Sequence, residues 1–269
     1  MKKYLLFVAI LLVVASSSNV TSQASASSSP SMKKDHHKMD VSSYFRDYEG
    51  TFILRDLKKG KTYIYNEEQA NERQTPESTF KVANALIGLQ VGAVRDEYDV
   101  KRWDGVEREF AIWNQDHTLG SGMRYSVIWY YQDMARDIGA TRMDEWLKKL
   151  SYGNMNSSGG IDQFWLDSSL EISPLEQADF IEKLVEEELP FDQTIMKTVK
   201  RMMIQEETND YTLFGKTGTR LSDSGLGWFV GFIETGDRSY VFATKIDGSG
   251  TEAKTITTNI LKEYGFMSE

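Results

Sequence analysis

The chain has 269 residues, of which 40% are hydrophobic, enough to bury one substantial core and too many for a chain disordered throughout. A formal net charge of -9 argues against nucleic acid as a natural partner, because neutralising phosphates needs clustered Lys and Arg, and leaves a small molecule as the default ligand. There is no cysteine, which removes a thiol nucleophile, a disulfide framework and a lipid-attachment site.

The first residues, Met1-Lys2-Lys3, precede an apolar run from Tyr4 to Ala15 and then small and polar residues ending in Ala24-Ser25-Ala26, an A-x-A cleavage pattern. Twelve apolar residues fall short of the roughly 20 that span a bilayer as a helix. This layout predicts a signal peptide over 1–26 and an exported protein, secreted or periplasmic, with no stable membrane insertion after cleavage. Residues 27–39, rich in Ser, Lys and His, read as a flexible leader, and the His36-His37 pair within it lacks a third ligand for a metal. The folded, catalytic part is expected over 40–269.

Asp40 to Phe45 reads as a short helix start. Gly50–Leu54 and Lys61–Tyr65 are β-rich runs separated by the turn-prone Lys58-Lys59-Gly60, which predicts a hairpin. From Ser78 to about Asp179 apolar residues recur at helical spacing, as in Val82-Leu86-Leu89 and Ile128-Met134-Ile138, with breaks at Gly105, Gly120–Gly122 and Gly153–Gly160. Further helices are predicted over about Pro174–Glu188 and Gln193–Gln205. Strands follow at Thr212–Phe214, Gly227–Ile233 and Tyr240–Ile246, the last two joined through Thr235-Gly236-Asp237, and a helix over about Ala253–Tyr264 closes the chain. Strands at both ends of a helical middle predict an α/β chain of the α+β type, with a central antiparallel sheet fed from both termini, flanking helices and a helical subdomain.

His117 is the only histidine beyond the leader, so a zinc site built on several histidines has no ligands, and no G-x-S-x-G elbow accompanies it for a Ser-His-Asp triad. A packing or surface role suits His117 better. What remains is a serine nucleophile with a lysine base, and Ser78-Thr79-Phe80-Lys81 offers one. Residues three apart on a helix share a face, so Lys81 can reach the Ser78 hydroxyl, and a helix N-terminus favours charge developing at Ser78. An ordinary lysine pKa near 10.4 must fall for Lys81 to accept a proton, and apolar neighbours such as Phe80 depress it by desolvation. Alone, the pattern is equally a helix start with a solvent-facing lysine. Lys216-Thr217-Gly218-Thr219 stands where a strand pattern begins. A small Gly218 on an edge strand lets a substrate lie alongside, with a backbone N–H for an oxyanion and Lys216 for a carboxylate, although a strand-end turn also explains it.

These two motifs are joined in order by Ser126-Val127-Ile128, Tyr152-Gly153-Asn154 and Gln163-Phe164-Trp165-Leu166, with Trp103-Asp104-Gly105 and the Trp113–Leu119 segment between. From about residue 50 to the C-terminus the chain resembles the class D (oxacillinase-like) serine beta-lactamases, whose fold is shared with penicillin-binding proteins. The resemblance implies beta-lactam small molecules as partners, Ser78 as the acylated nucleophile and an oxyanion held by the backbone N–H groups of Ser78 and Thr219. It further implies carbon dioxide as the one added group, bound to Lys81 as an N-carboxyl base and stabilised by Trp165, for which plain burial is the alternative. Ser126 then relays a proton, Lys216 orients it, Thr217, Gly218 and Thr219 line the substrate, and Tyr152 and Asn154 shape the site. Two departures stand out. Ile128 occupies the third position of the family's S-x-V and adds a methylene beside the carbamate pocket. Ala253, with Lys254 beside it, occupies the position of the family's carboxylate-binding arginine, leaving that task to Lys254, Thr217 or Thr219. Two relatives by chemistry remain as alternatives. A beta-lactam sensor ectodomain acylates without turnover and follows several membrane-spanning helices, whereas a D,D-peptidase lacks the Phe-Trp-Leu motif. A class A enzyme would need an E-x-x-L-N loop, but Glu186 and Leu189 are followed by Pro190.

Overall fold

A computed structural model describes residues 36–268. The signal-peptide reading of 1–26, and all of the leader before His36, lie outside the described residues.

The opening hairpin pairs β2 (Gly50–Asp56) with β3 (Lys61–Tyr65), and Gly60 supplies the positive φ at its turn. Before it, β1 (His36–Lys38) runs parallel to β3 and buries Met39 behind it. The fold therefore begins earlier than Asp40. His36 meets Glu67 at 3.1 Å and His37 lies against the Tyr63 ring, so the sheet takes up the last residues of the segment expected to be flexible. Ser42–Phe45 is a single 3-10 turn.

Helices follow in chain order: α1 (Glu67–Ala70), then a 3-10 turn over Glu77–Phe80 that runs directly into α2 (Lys81–Gln90). A two-stranded ribbon, β4 (Val100–Lys101) with β5 (His117–Thr118), leads into α3 (Leu119–Arg124), α4 (Ile128–Ile138) and α5 (Ala140–Leu150). Gly139, at φ +82°, turns α4 into α5 without a loop. An irregular segment over 151–173 precedes α6 (Pro174–Val185), which starts with a Ser173/Glu176 capping box and proline at its first position. α7 (Gln193–Met202) leads to β6 (Ile204–Glu207), a strand the hydrophobic pattern did not suggest because three of its four residues, Gln205, Glu206 and Glu207, are polar. The chain ends with β7 (Tyr211–Thr219), β8 (Gly227–Thr235), β9 (Arg238–Ile246) and α8 (Gly250–Glu263).

The seven-stranded sheet has the order β1-β3-β2-β9-β8-β7-β6, antiparallel except for β1 with β3. Strands from both ends of the chain meet at the β2–β9 pairing, as expected. Alternation sends Phe52, Leu54, Phe229 and Phe242 to the face that packs α8 through Ala253, Ile256, Ile260 and Leu261. Ile53, Val230, Phe232, Val241 and Ala243 face the other way, into a larger core with Leu86, Tyr130, Tyr131, Leu147 and Phe180 from α2, α4, α5 and α6. A sheet covered on both faces explains why every residue of β2 is buried. Arg55, only 4% exposed as a side chain, crosses from β2 to α6 and pairs with Asp179 at 2.6 Å and Glu182 at 2.7 Å.

Candidate active site

The nucleophile turn is built where the sheet meets the helices. Ser78 lies in the 3-10 turn and Lys81 opens α2, so the two side chains project from one face and Lys81 Nζ donates to Ser78 Oγ at 2.8 Å. Lys81 is fully buried. Phe80 meets Tyr152 and Phe164 edge-on and Trp165 at a tilt, and the Tyr131 ring centre lies 5.5 Å from Lys81 Nζ. Desolvation drives the Lys81 amine well below the ordinary lysine range, the charge of Lys216 pushes the same way, and Glu77 opposes both. A buried Lys81 sets aside the solvent-facing alternative, and its environment favours the neutral amine more than an exposed lysine's would.

Ser126 sits at the bend between α3 and α4 with φ +56°, a left-handed conformation uncommon outside glycine. Lys216 reaches across from β7 to donate to Ser126 Oγ at 3.1 Å and to the Thr217 carbonyl at 2.9 Å. Burial, then the charge of Lys254, pulls the Lys216 ammonium down to about 7. Two buried amines thus each pair with a serine, Lys81 with the buried Ser78 and Lys216 with the half-buried Ser126.

The Lys216–Thr219 motif lies at the C-terminal end of β7, not where a strand begins, and β7 is the penultimate strand, not an edge. The expected opening exists all the same, because β6 pairs only with Thr212–Phe214. A Cβ at Gly218 would lie 3.0 Å from the Pro76 carbonyl, 3.2 Å from Thr79 Cγ2 and 3.3 Å from Glu77 Cβ. Only glycine lets β7 press this closely on the nucleophile turn.

A cavity of about 200 Å³ opens over Ser78, with Ser126, Ile128, Thr217 and Thr219 in its lining, and Phe110, Ile112, Trp113, Tyr125 and Leu221 form apolar walls. Lys254 lies outside it. Because α8 starts at Gly250, three residues before the expected Ala253, Lys254 falls in its second turn, where its ammonium donates to Gln205 at 2.7 Å. Lys254 as carboxylate binder therefore has no geometry behind it, while Thr217 and Thr219 do reach the cavity. Thr219 Oγ1 accepts from the Gly250 N–H at 2.9 Å, which ties β7 to the start of α8.

Trp165 is fully buried and its indole Nε1 has no hydrogen-bond partner among the described residues. Tyr152 and Asn154 stay off the cavity lining. Tyr152 packs edge-on against Phe80, and Asn154 fastens the 151–173 segment by donating to the Ser169 carbonyl and accepting from the N–H groups of Asn156 and Glu171. Their contribution to the site is indirect. His117 is held by Ser121 Oγ at 2.9 Å and the Ile112 carbonyl at 2.8 Å, a packing role that props up the wall carrying Ile112 and Trp113. The apolar wall residues escaped the reading of candidate residues, and their one signal is Phe110 and Ile112 standing in a stretch with no helical or strand period. Glu77, buried beside the nucleophile, gave no signal.

Residues 9–264 match the model of the penicillin-binding protein transpeptidase domain. The chain is 69% identical over 231 residues to the probable beta-lactamase YbxI of Bacillus subtilis, covering 86% of each. It superposes on a crystal structure of a class D beta-lactamase from Bacillus subtilis with a TM-score of 0.85 at 69% identity, over 86% of this chain and 98% of that one. The chain belongs to the class D beta-lactamase family. Members are serine hydrolases, and the fold is that of serine beta-lactamases and penicillin-binding proteins. Within the same similarity lies the regulatory protein BlaR1 of Bacillus licheniformis, 38% identical over 84% of this class D chain, which spans only 39% of BlaR1.

Proposed function

We propose that the protein is exported and hydrolyses the amide bond of beta-lactams through an acyl-enzyme on Ser78, so conferring resistance to these antibiotics. The observation that carries this reading is the pair of Ser–Lys couples at one cavity, each built on a buried lysine. Ser78 Oγ adds to the lactam carbonyl as its proton passes to Lys81, with the Ser78 and Thr219 N–H groups holding the oxyanion. When the C–N bond breaks, Ser126 passes its hydroxyl proton to the leaving nitrogen and regains one from Lys81, which returns to its base form, while Lys216 holds Ser126 in place. Water then cleaves the Ser78 ester.

Carboxylated by carbon dioxide, the Lys81 amine would supply the general base for both steps. The residues present suit such a group. A desolvated neutral amine is the form that adds carbon dioxide, and the unpartnered N–H of Trp165 offers a buried donor to an anion in the same aromatic cluster. Thr217 and Thr219, which line the cavity, contact the substrate, and Lys216, buried behind Thr217 and outside that lining, supplies positive charge near its carboxylate.

A nitrocefin time course with residues 27–269 and added bicarbonate, read beside the intact mass after mixing with penicillin, tests this. Sustained turnover is expected, with Ser78→Ala forming no adduct and Lys81→Ala losing turnover by at least about 10³-fold. Stoichiometric acylation without turnover would make the protein a sensor or a D,D-peptidase, and full hydrolysis by Lys81→Ala would remove Lys81 as the base.

A further inference from the structure

The residue before the nucleophile is an acid that the reaction does not use. Glu77 is only 2% exposed and adopts φ +51°, a conformation a side-chain-bearing residue keeps only where its surroundings over-determine it. Those surroundings are specific. The Thr75 hydroxyl donates to Glu77 Oε1 at 2.7 Å, the Asp167 N–H donates to the same oxygen at 2.9 Å, and the Glu77 N–H donates to the Trp165 carbonyl at 3.0 Å. One of these bonds falls on the tryptophan itself, through the Glu77 backbone, and one, through the Glu77 carboxylate, on the residue two places after it. A turn needing only positive φ would be served by Gly or Asn without burying a carboxylate. Burial raises the Glu77 pKa, the Thr75 and Asp167 bonds pull it back, and of the nearby charges Asp167 raises it and Arg220 lowers it.

We infer that Glu77 is a positioning residue for Lys81 carboxylation, clamping the Trp165–Asp167 segment onto the nucleophile turn so that the indole stays fixed against Phe80, the residue before Lys81. The inference rests on the carbamate reading above. Asp167 has φ +45°, a strained conformation that the clamp helps to hold, and Ser222 Oγ bonds its carboxylate from outside at 3.0 Å. Gly218 packs against Glu77 as well, so one side chain touches the nucleophile turn, the tryptophan segment and the end of β7.

The test is a titration of the purified protein with ¹³C-bicarbonate, following the carbamate signal by NMR for the wild type, Glu77→Ala and Glu77→Gln. Glu77→Ala is expected to raise the bicarbonate concentration for half-labelling about tenfold, the scale of a lost buried hydrogen bond, while Glu77→Gln, whose amide oxygen still accepts from Thr75 and Asp167, stays near wild type. If Glu77→Ala does not fold, Thr75→Val strips one donor from the clamp and should shift half-labelling about threefold in the same direction. Wild-type labelling in Glu77→Ala with a lowered melting temperature would reduce Glu77 to a fold anchor and overturn the inference. Equal impairment of the Ala and Gln variants would also overturn it, because charge and not the clamp would then matter. A wild type that never labels rejects the carbamate reading itself and the inference with it, an outcome distinct from the other two.

Discussion

At the scale of single residues, the site is organised by the cost of burying amines. Lysine is seldom fully buried without a paired charge, yet Lys81 and Lys216 both are, each with a serine hydroxyl as partner. Burial lowers both, Lys81 well below the ordinary lysine range and Lys216 to about 7, so near neutral pH Lys216 still carries charge in part of the population. A lysine with a depressed pKa is charged below that value and neutral above it. With bicarbonate saturating, kcat/KM for an anionic substrate should fall on the alkaline side with a midpoint near the 7 of free Lys216, and Lys216→Met should lower the plateau and remove that limb. A profile flat through neutrality would show that Lys216 acts without its charge. Most of these residues were legible in the sequence, because Ser–x–x–Lys spacing on a helix already places one hydroxyl against one amine. Lys254 was not, since its role hung on where α8 begins, and helix ends are set by caps, here the Ser249/Glu252 box, rather than by hydrophobic period.

At the scale of elements, the pieces with a strong period were foreseen and those held by backbone geometry were not. The β2–β3 hairpin and the β8–β9 pair announce themselves by β-rich runs around turn residues. The polar β6 and the parallel β1 have no such pattern and exist because neighbouring strands offer them edges. The 151–173 segment carries Trp165 without regular structure, and its shape comes from Asn154, from Glu77 and from Gly153. Gly153 has φ +52°, and a Cβ there would collide with the Glu171 carbonyl. Gly153→Ala is therefore expected to destabilise the fold by about 1–3 kcal/mol, seen as a melting point lower by several degrees, and to slow turnover through the displaced tryptophan segment. An unchanged melting point would mean that the segment shifts as a unit at little cost.

For the molecule as a whole, burying these amines couples folding to pH. The unfolded chain binds a proton at Lys216 up to about 10.4, whereas the folded chain releases it near 7, so in that window the unfolded state holds more protons. Stability from this group is absent below the folded value and recovered as pH rises towards the unfolded one. The buried Tyr130, Tyr131 and Tyr152 have raised pKa values and oppose the trend only above about 10, where an ordinary tyrosine ionises. Thermal unfolding at moderate salt should thus show a melting point that climbs by a few degrees between about pH 7 and pH 9, with a shallower climb in Lys216→Met. An equal slope in the variant would place the dependence elsewhere.

The half-covered β7 carries a further consequence. An unpaired strand edge ordinarily invites another chain to zip onto it, and proteins blunt such edges with charge, brevity or a cover. Here the open stretch is limited to Lys216–Thr219, carries an ammonium, abuts the start of α8 and shares its cavity with the walls formed by Phe110, Ile112 and Leu221. It is too short to template association between copies, so the opening beside the cavity does not become an edge for aggregation.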